Sequence, residues 1–556
     1  MKKAVLWPAL TAFLITWAAS TLWWPFGPDQ GIFAWVGDVI LQGGMPYRDA
    51  WEVKGPVVHY AYALSQLLFG RVMWGIRLLD LAVLALALPF LWRMAARLFD
   101  ETAAKLAVVL FTLWYANGGY WSTSQPDGWA AMLLIIAVYH LLNNSDSVTA
   151  ALSTSKIEEP AGPRAARLGA KTRLTPQKLD MLMLAAGAII GLCSLIKPIY
   201  ATYLLLFVIY ALAHPTAHPA RVRFIRSVGL GLLSWGLIIL LMVAWFAYRG
   251  ALADLIEVQI TFNSTVHRLA HTRTTPAQLQ LILGFALQGW ILVALLPAVV
   301  GGMSLWQRRR PEAGVLGAWM LLTLLLVMMQ NKFYLYHWFP LYGPLAIIAG
   351  GGVSRLLAVQ NLPAVREMPG LKYLSPALLA LMFSTAMIVP TLSLLRWGLA
   401  INGYQSWESY YQGFGTYGEG DFSFKADQEV AQFISQQTSP QDTVLVWGFE
   451  VLVNYLSGRP SPSRFGFNYA LVRGSENMLE PAYRAEFMQA LYSNPPRYIL
   501  ILDEDKNDLM AKTSRQFVND FPALKTFIDT HYQLETTIEH FAVWQYRPAA
   551  VEKAAR

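Results

Sequence analysis

Apolar residues in this chain fall into long unbroken runs rather than the narrow stripes of a soluble helix or strand. A window of about 19 residues, the length that crosses a bilayer core, picks out eleven runs. They are Val5–Trp24, Val72–Trp92, Ala104–Tyr120, Trp129–Leu142, Met181–Ile196, Ile199–Ala213, Val228–Tyr248, Leu279–Val300, Gly314–Met329, Trp338–Val353 and Leu374–Leu395. The pattern predicts a polytopic α-helical membrane protein of about eleven transmembrane helices. Several runs fall short of ~20 residues, so tilted or broken helices are expected among them. The stretch interrupted at Lys197-Pro198 reads as one long kinked helix or as two short ones with Lys197 at the tip. Two short helices keep the charge pattern below intact.

Beyond Arg396 the periodicity changes. Thr443–Trp447, Tyr498–Leu502 and Phe541–Tyr546 read as strands, and Lys425–Gln437 and Ala482–Tyr492 as amphipathic helices. Residues 397–556 are therefore expected to form a small α/β domain, and residues 1–396 the membrane module.

Composition agrees with this division. Charged residues make up 14% of the chain against about 25% in an ordinary soluble domain, and hydrophobic residues 55%. That excludes disorder and a wholly soluble fold. The single cysteine, Cys193, excludes an intramolecular disulfide and a cysteine-based metal site. The formal charge of +8 raises nucleic acid as a partner, but the basic residues cluster in alternate loops. Lys2 and Lys3; Arg93, Arg97 and Lys105; six between Lys156 and Lys178; Arg221, Arg223 and Arg226; Arg308–Arg310; and Arg355, Arg366 and Lys372 all fall on one side. This is the positive-inside signature. It predicts a multi-pass plasma-membrane protein with a cytoplasmic N-terminus, an extracytoplasmic C-terminal domain and no nucleic-acid role. Met1–Ser20 resembles a signal peptide, yet its apolar run continues through Trp24, so a retained anchor is expected. The inside loop Asn143–Asp180, rich in Ser, Ala, Thr and Pro, reads as flexible.

The scarce charges on the other side gather in a few places. The loop at about residues 25–71 carries two amphipathic stretches, Ile32–Leu41 and Val57–Phe69, which suit the membrane interface. Between and before them lie Asp29, Arg48, Asp49, Glu52 and Lys54. Asp127 opens a short span and reads equally as an acid at a helix N-terminus. Lys197 sits at a tip; QNKFYLYHW supplies Lys332, Tyr334, Tyr336 and His337; Arg268 and Arg273 follow the seventh span near Asn263 and His267. Snorkelling to headgroups explains one such residue well, and several on one face less well. Arg77 and Asp80, at i and i+3 in the second span, are placed to pair as a structural ion pair.

The segment DQGIFAWVGDVILQGGMPYRDAWEVKGPVVHYAYALSQLLFG, with GIRLLD after it, resembles the first extracytoplasmic loop of the membrane-embedded class C glycosyltransferases. It is most similar to the branch containing protein O-mannosyltransferases and the lipid A aminoarabinose transferase. STSQPD, LIKP at Leu195–Pro198, KFYLYHW and the later VWGFEVLVNYLSGRPSPSRF match in order along the whole chain, each as a short motif.

The resemblance implies a GT-C-like fold, a polyprenyl-phosphate-linked sugar as donor, and a protein, lipid or polysaccharide as acceptor. It implies Asp29 as the catalytic residue and Asp127 as the second-loop acid. The family's usual Asp-Glu pair is Asp29-Gln30 here, which puts in doubt any role, such as contact with a divalent cation, that needs the second carboxylate. Its Glu-Lys-Pro-Pro segment appears as Glu52-Val53-Lys54-Gly55-Pro56, with Lys54 in place and Glu52 shifted by one. In such chemistry Asp29 would take the proton of an acceptor hydroxyl as general base. Lys54, Lys197, Lys332 and Arg77 would stabilise the departing phosphate, with hydrogen bonds from Tyr334 and His337. Asp49, Glu52, Arg268 and Arg273 would support them. In-line displacement would invert the anomeric carbon. The alternative is a lipid-linked-sugar transporter or polymer-handling protein without transfer chemistry, disfavoured because its ionisable residues should line a mid-membrane path and no internal repeat is evident.

Overall fold

The computed structural model describes residues 3–153, 176–213, 218–267, 273–360, 362, 371–415, 422–474, 477–506 and 510–547. Most of the loop expected to be flexible, residues 154–175, and Arg268 lie outside them. The chain forms two compact units, one of residues 1–17, 80–244 and 273–392, the other of residues 18–79, 245–272 and 393–556.

All eleven apolar runs fall on helices. Among the described residues five helices are individually long and apolar enough to cross a membrane: Met73–Leu98, Val228–Tyr248, Gly289–Arg308, Arg310–Gln330 and Leu335–Gln360. Ser375–Ala386 and Ile388–Ile401, bent by 48°, count as a sixth if taken together, and Asp180–Ile196 and Pro198–Tyr210 are shorter apolar helices. The protein is a multi-pass membrane protein.

The first unit is built around the helix Phe339–Gln360, which is buried from Phe339 through Ser354. Small residues let its neighbours approach. A Cβ on Gly352 would collide with the carbonyl oxygen of Pro297, and one on Gly301 with that of Ile348, so this helix and Gly289–Arg308 touch backbone to backbone. The bend after Ala386 has an identifiable cause. Pro390 lacks the N–H that would bond the Ala386 carbonyl, and that oxygen instead accepts from Asn117 Nδ2 at 2.6 Å.

One expectation changes here. The run Leu279–Val300 reads as one helix in the sequence, but the helix Thr275–Ala286 ends and Gly289–Arg308 starts afresh, because Gln288 takes an extended backbone (φ −58°, ψ 130°). At Lys197 the two-helix alternative holds. Pro176–Ile196 ends there, Lys197 is extended, and a 3-10 turn Pro198–Leu204 leads into Leu205–Ala213. Phe207 reaches Gly231, which also lies over Met183, so the chain after Lys197 returns alongside the helix it left.

In the second unit, helices Pro28–Leu41 and Pro56–Phe69 pack together, Gln66 Nε2 donating to the Ala34 carbonyl at 2.8 Å. The C-terminal part holds a four-stranded sheet in the order β1-β2-β4-β3, from β1 (Val444–Trp447), β2 (Tyr498–Leu502), β3 (Tyr532–Ile538) and β4 (Phe541–Tyr546). β1 and β2 are parallel, with Val444 opposite Tyr498; β4 runs antiparallel to both β2 and β3. Helix Phe424–Gln437 covers the sheet through Ala426, Val430 and Ile434. The sequence pattern does not reveal β3 because it is an edge strand, largely exposed, with few apolar side chains to mark it.

Candidate functional site

The site residues fall in two clusters, one per unit. In the second unit, Asp29 sits in the first turn of Pro28–Leu41, half-buried, where the helix dipole favours a carboxylate. Its neighbour Gln30 is fully buried, and its Oε1 accepts from the Gly27 N–H at 2.6 Å and from Arg77 Nη2 at 3.2 Å. Arg77, 1% exposed, also donates to the Pro25 carbonyl at 2.8 Å and lies over the Trp24 ring. Gln30 thus caps the helix that carries Asp29, and Arg77 holds that cap.

Glu52 is buried beside them. Its Oε2 accepts from the Lys54 N–H at 2.5 Å, His59 Nε2 lies 3.4 Å away, and Lys54 Nζ is 4.0 Å from Oε1. Burial pushes the Glu52 carboxyl above its ordinary range; the Lys54 charge opposes this, and the negative charge of Asp29 adds to it. Burial also drives His59 down to about 3, so its imidazole is neutral. Lys54 lies over the Phe33 ring. Its carbonyl accepts from Tyr47 Oη at 2.7 Å and Gln259 Nε2 at 2.9 Å, and the Val53 carbonyl from Asn263 Nδ2 at 2.9 Å. Tyr47 has φ 71°, uncommon for a bulky residue and typical of segments held in place by their surroundings. Asp49 is turned to its own loop. Burial raises its carboxyl, but bonds from Arg48 and the Met45 N–H outweigh that and leave it below the ordinary range.

In the first unit Asp127 is fully buried at the start of Pro126–Ser153. Lys197 Nζ reaches its Oδ2 at 2.6 Å, and Tyr200 Oη donates to Oδ1. Lys197 also donates to Gln330 Oε1 at 3.1 Å and lies over the Tyr336 ring. His337, 3% exposed, is wedged between the Tyr334 and Tyr336 rings. Lys332 stands between two left-handed residues, Asn331 (φ 56°) and Phe333 (φ 59°). Arg273 Nη1 donates to the Asn331 carbonyl at 2.5 Å and so anchors the start of that loop. Asp80 accepts from Tyr115 Oη at 2.7 Å and Trp129 Nε1 at 2.9 Å. Among the described residues, no group of three or more His, Cys, Asp or Glu is placed to hold a metal ion.

Sequence reasoning did not single out His59, Tyr47, Gln259, Tyr200 or Gln330. Tyr200 carried a faint signal, three residues after Lys197; Gln259 and Asn263 form an i, i+4 amide pair in a stretch read only as loop.

The fold, a set of apolar helices followed by a C-terminal α/β region, is like that of solved ArnT structures. The chain is similar over 98% of its length, and over 98% of the other, to ArnT from Cupriavidus metallidurans bound to undecaprenyl phosphate, with a TM-score of 0.60 at 15% identity. For the apo state of ArnT from Cupriavidus metallidurans the TM-score is 0.61 at 16% identity, covering 97% of each chain. The family model described as dolichyl-phosphate-mannose-protein mannosyltransferase matches residues 53–148, a stretch that contains Lys54 and Asp127. No curated sequence matches the chain.

Proposed function

We propose that this protein is an integral-membrane glycosyltransferase that moves a sugar from a polyprenyl-phosphate donor to an acceptor hydroxyl, inverting the anomeric carbon, on the outer face of the plasma membrane. The observation that carries the reading is the first cluster. Asp29 lies close enough to buried Glu52 for its charge to raise Glu52's proton affinity, and Glu52 is bonded to Lys54. A half-exposed carboxylate and a cation on a rigid loop are what the reaction requires. Asp29 takes the proton of the acceptor hydroxyl as it attacks the anomeric carbon. Lys54 stabilises the phosphate that leaves with the bonding electrons. A phosphate is already stable as an anion, so no general acid is needed.

The second cluster supports a donor phosphate in another way. Asp127 and Tyr200 hold Lys197, and Lys332, Tyr334 and His337 follow the Arg273 anchor, so the first unit carries cations and hydrogen-bond donors of its own that suit a lipid phosphate. Likeness in fold to an ArnT chain bound to undecaprenyl phosphate supports that donor class. The test is to purify the full chain, supply undecaprenyl phosphate carrying radiolabelled mannose, glucose or arabinose with an envelope extract as acceptor, and follow the label. Label bonded covalently to acceptor supports the reading. Label that crosses a proteoliposome membrane still attached to its lipid would make the protein a transporter.

A further inference from the structure

The loop that carries Glu52 and Lys54 is held by residues far away in sequence, and their arrangement assigns them a common task. One set of contacts comes from a helix of unusual geometry. Glu257–His267 is a π-helix, a form rare in long runs and frequent at functional sites. From it, Gln259 Nε2 donates to the Val53 and Lys54 carbonyls at 3.1 and 2.9 Å, and Asn263 Nδ2 to the Val53 carbonyl at 2.9 Å.

Arg464, in the C-terminal part of the same unit, ties that helix to the loop. Its guanidinium lies 3.4 Å from Glu257 and 3.7 Å from Asp254, and bonds Glu486 at 2.8 Å. Nη1 also donates to the Tyr47 carbonyl at 3.0 Å, while the Arg464 carbonyl accepts from the Trp51 N–H at 2.7 Å. Trp51 is fully buried, edge-on to Phe262 of the π-helix at 4.9 Å. The segment Tyr47–Lys54 is thus gripped from both ends.

We propose that Arg464, Gln259 and Asn263 are positioning residues that act through Lys54: they fix its backbone so that its ammonium meets the donor phosphate. This rests on the glycosyltransferase reading above, and makes the C-terminal region part of the phosphate site rather than an appendage. Three carboxylates around one arginine, and amides whose donors all end on two adjacent carbonyls, constrain a loop more than burial alone requires.

The test uses the full chain in detergent with undecaprenyl phosphate as probe, and measures its dissociation constant. Arg464→Gln and Asn263→Leu should each weaken binding about tenfold, as expected for loss of a buried bond that orders a charged group. In a Lys54→Met background the same substitutions should change binding less than about twofold, because effects through a shared residue do not add. A general loosening of the fold would add in full. Asn263→Leu keeps the proposal testable if Arg464→Gln fails to fold. Single variants that bind as wild type, or effects that persist undiminished without Lys54, overturn the proposal while leaving the transfer reaction standing. A Lys54→Met protein that binds like wild type overturns both this proposal and the assignment of Lys54.

Discussion

Replacing Asp127 with Asn isolates the buried ion pair with Lys197. Asp127 is fully buried and offers two oxygens to two donors, Lys197 Nζ at 2.6 Å and Tyr200 Oη. Asparagine keeps the shape but has a single acceptor oxygen, so one of the two donors loses its partner, and the charge of Lys197 loses its counter-ion. Removing one member of a buried pair costs about 3–5 kcal/mol. Lys197 keeps Gln330 and the Tyr336 ring, and its side chain is 11% exposed. That favours the low end, ~3 kcal/mol, or about two decades in the unfolding equilibrium. Unfolding in mixed detergent micelles, followed by circular dichroism, reads this directly. The double variant Asp127→Asn with Lys197→Met removes the stranded charge and should recover to within ~1 kcal/mol of wild type, since an apolar replacement for a buried pair is often neutral. An Asp127→Asn protein as stable as wild type, or a double variant no better than the single, would mean that the Asp127–Lys197 pair does not hold this region together.

Further outcomes follow from the first cluster. Gln30→Glu should be tolerated, within ~1 kcal/mol, because Oε1 is the atom that accepts from the Gly27 N–H and Arg77, and a carboxylate at a helix N-terminus is favoured. Gln30→Leu should cost about 1–3 kcal/mol by taking that acceptor away, both read by thermal unfolding. His59 has a folded value of about 3 against 6.5 for the free side chain, so the unfolded chain binds the extra proton and stability is lost as pH falls from about 6.5 toward 3. At pH 5 the loss is ~2 kcal/mol, and His59→Gln should remove that slope in denaturation measured from pH 7 to 5; Glu52, whose folded value is raised, works in the opposite sense and is common to both proteins. Equal slopes would count against a neutral, buried His59. Lys54→Met should reduce turnover by about 10²-fold or more, measured at saturating acceptor, as for loss of a fixed charge at a developing anion.

The fold was legible wherever a run of apolar residues met a polar boundary. Every such run is helical, and helices Pro28–Leu41 and Pro56–Phe69 start within four residues of the expected positions. The break at Gln288 was passed over because Gln288-Gly289 is a short interruption with apolar residues continuing on both sides. The C-terminal strands with buried apolar faces were visible, whereas the exposed edge strand β3 was not. At the candidate site, charge scarcity pointed to the segments that carry the two clusters, but not to which residues pair within them. That Asp127 belongs with Lys197 and Tyr200, and that Gln259 and Asn263 hold the Lys54 loop, depends on contacts between residues 70 or more positions apart, for which periodicity carries no signal.

The most direct test of the account is transfer by the Asp29→Asn protein. Purified wild type and variant, matched for thermal stability and for binding of undecaprenyl phosphate, are given the radiolabelled undecaprenyl-phosphate sugar that the wild type accepts, and label bonded to acceptor is counted. Turnover should fall about 10²–10⁴-fold, the contribution of a positioned general base, with lipid-phosphate binding unchanged. Turnover equal to wild type would contradict that role of Asp29.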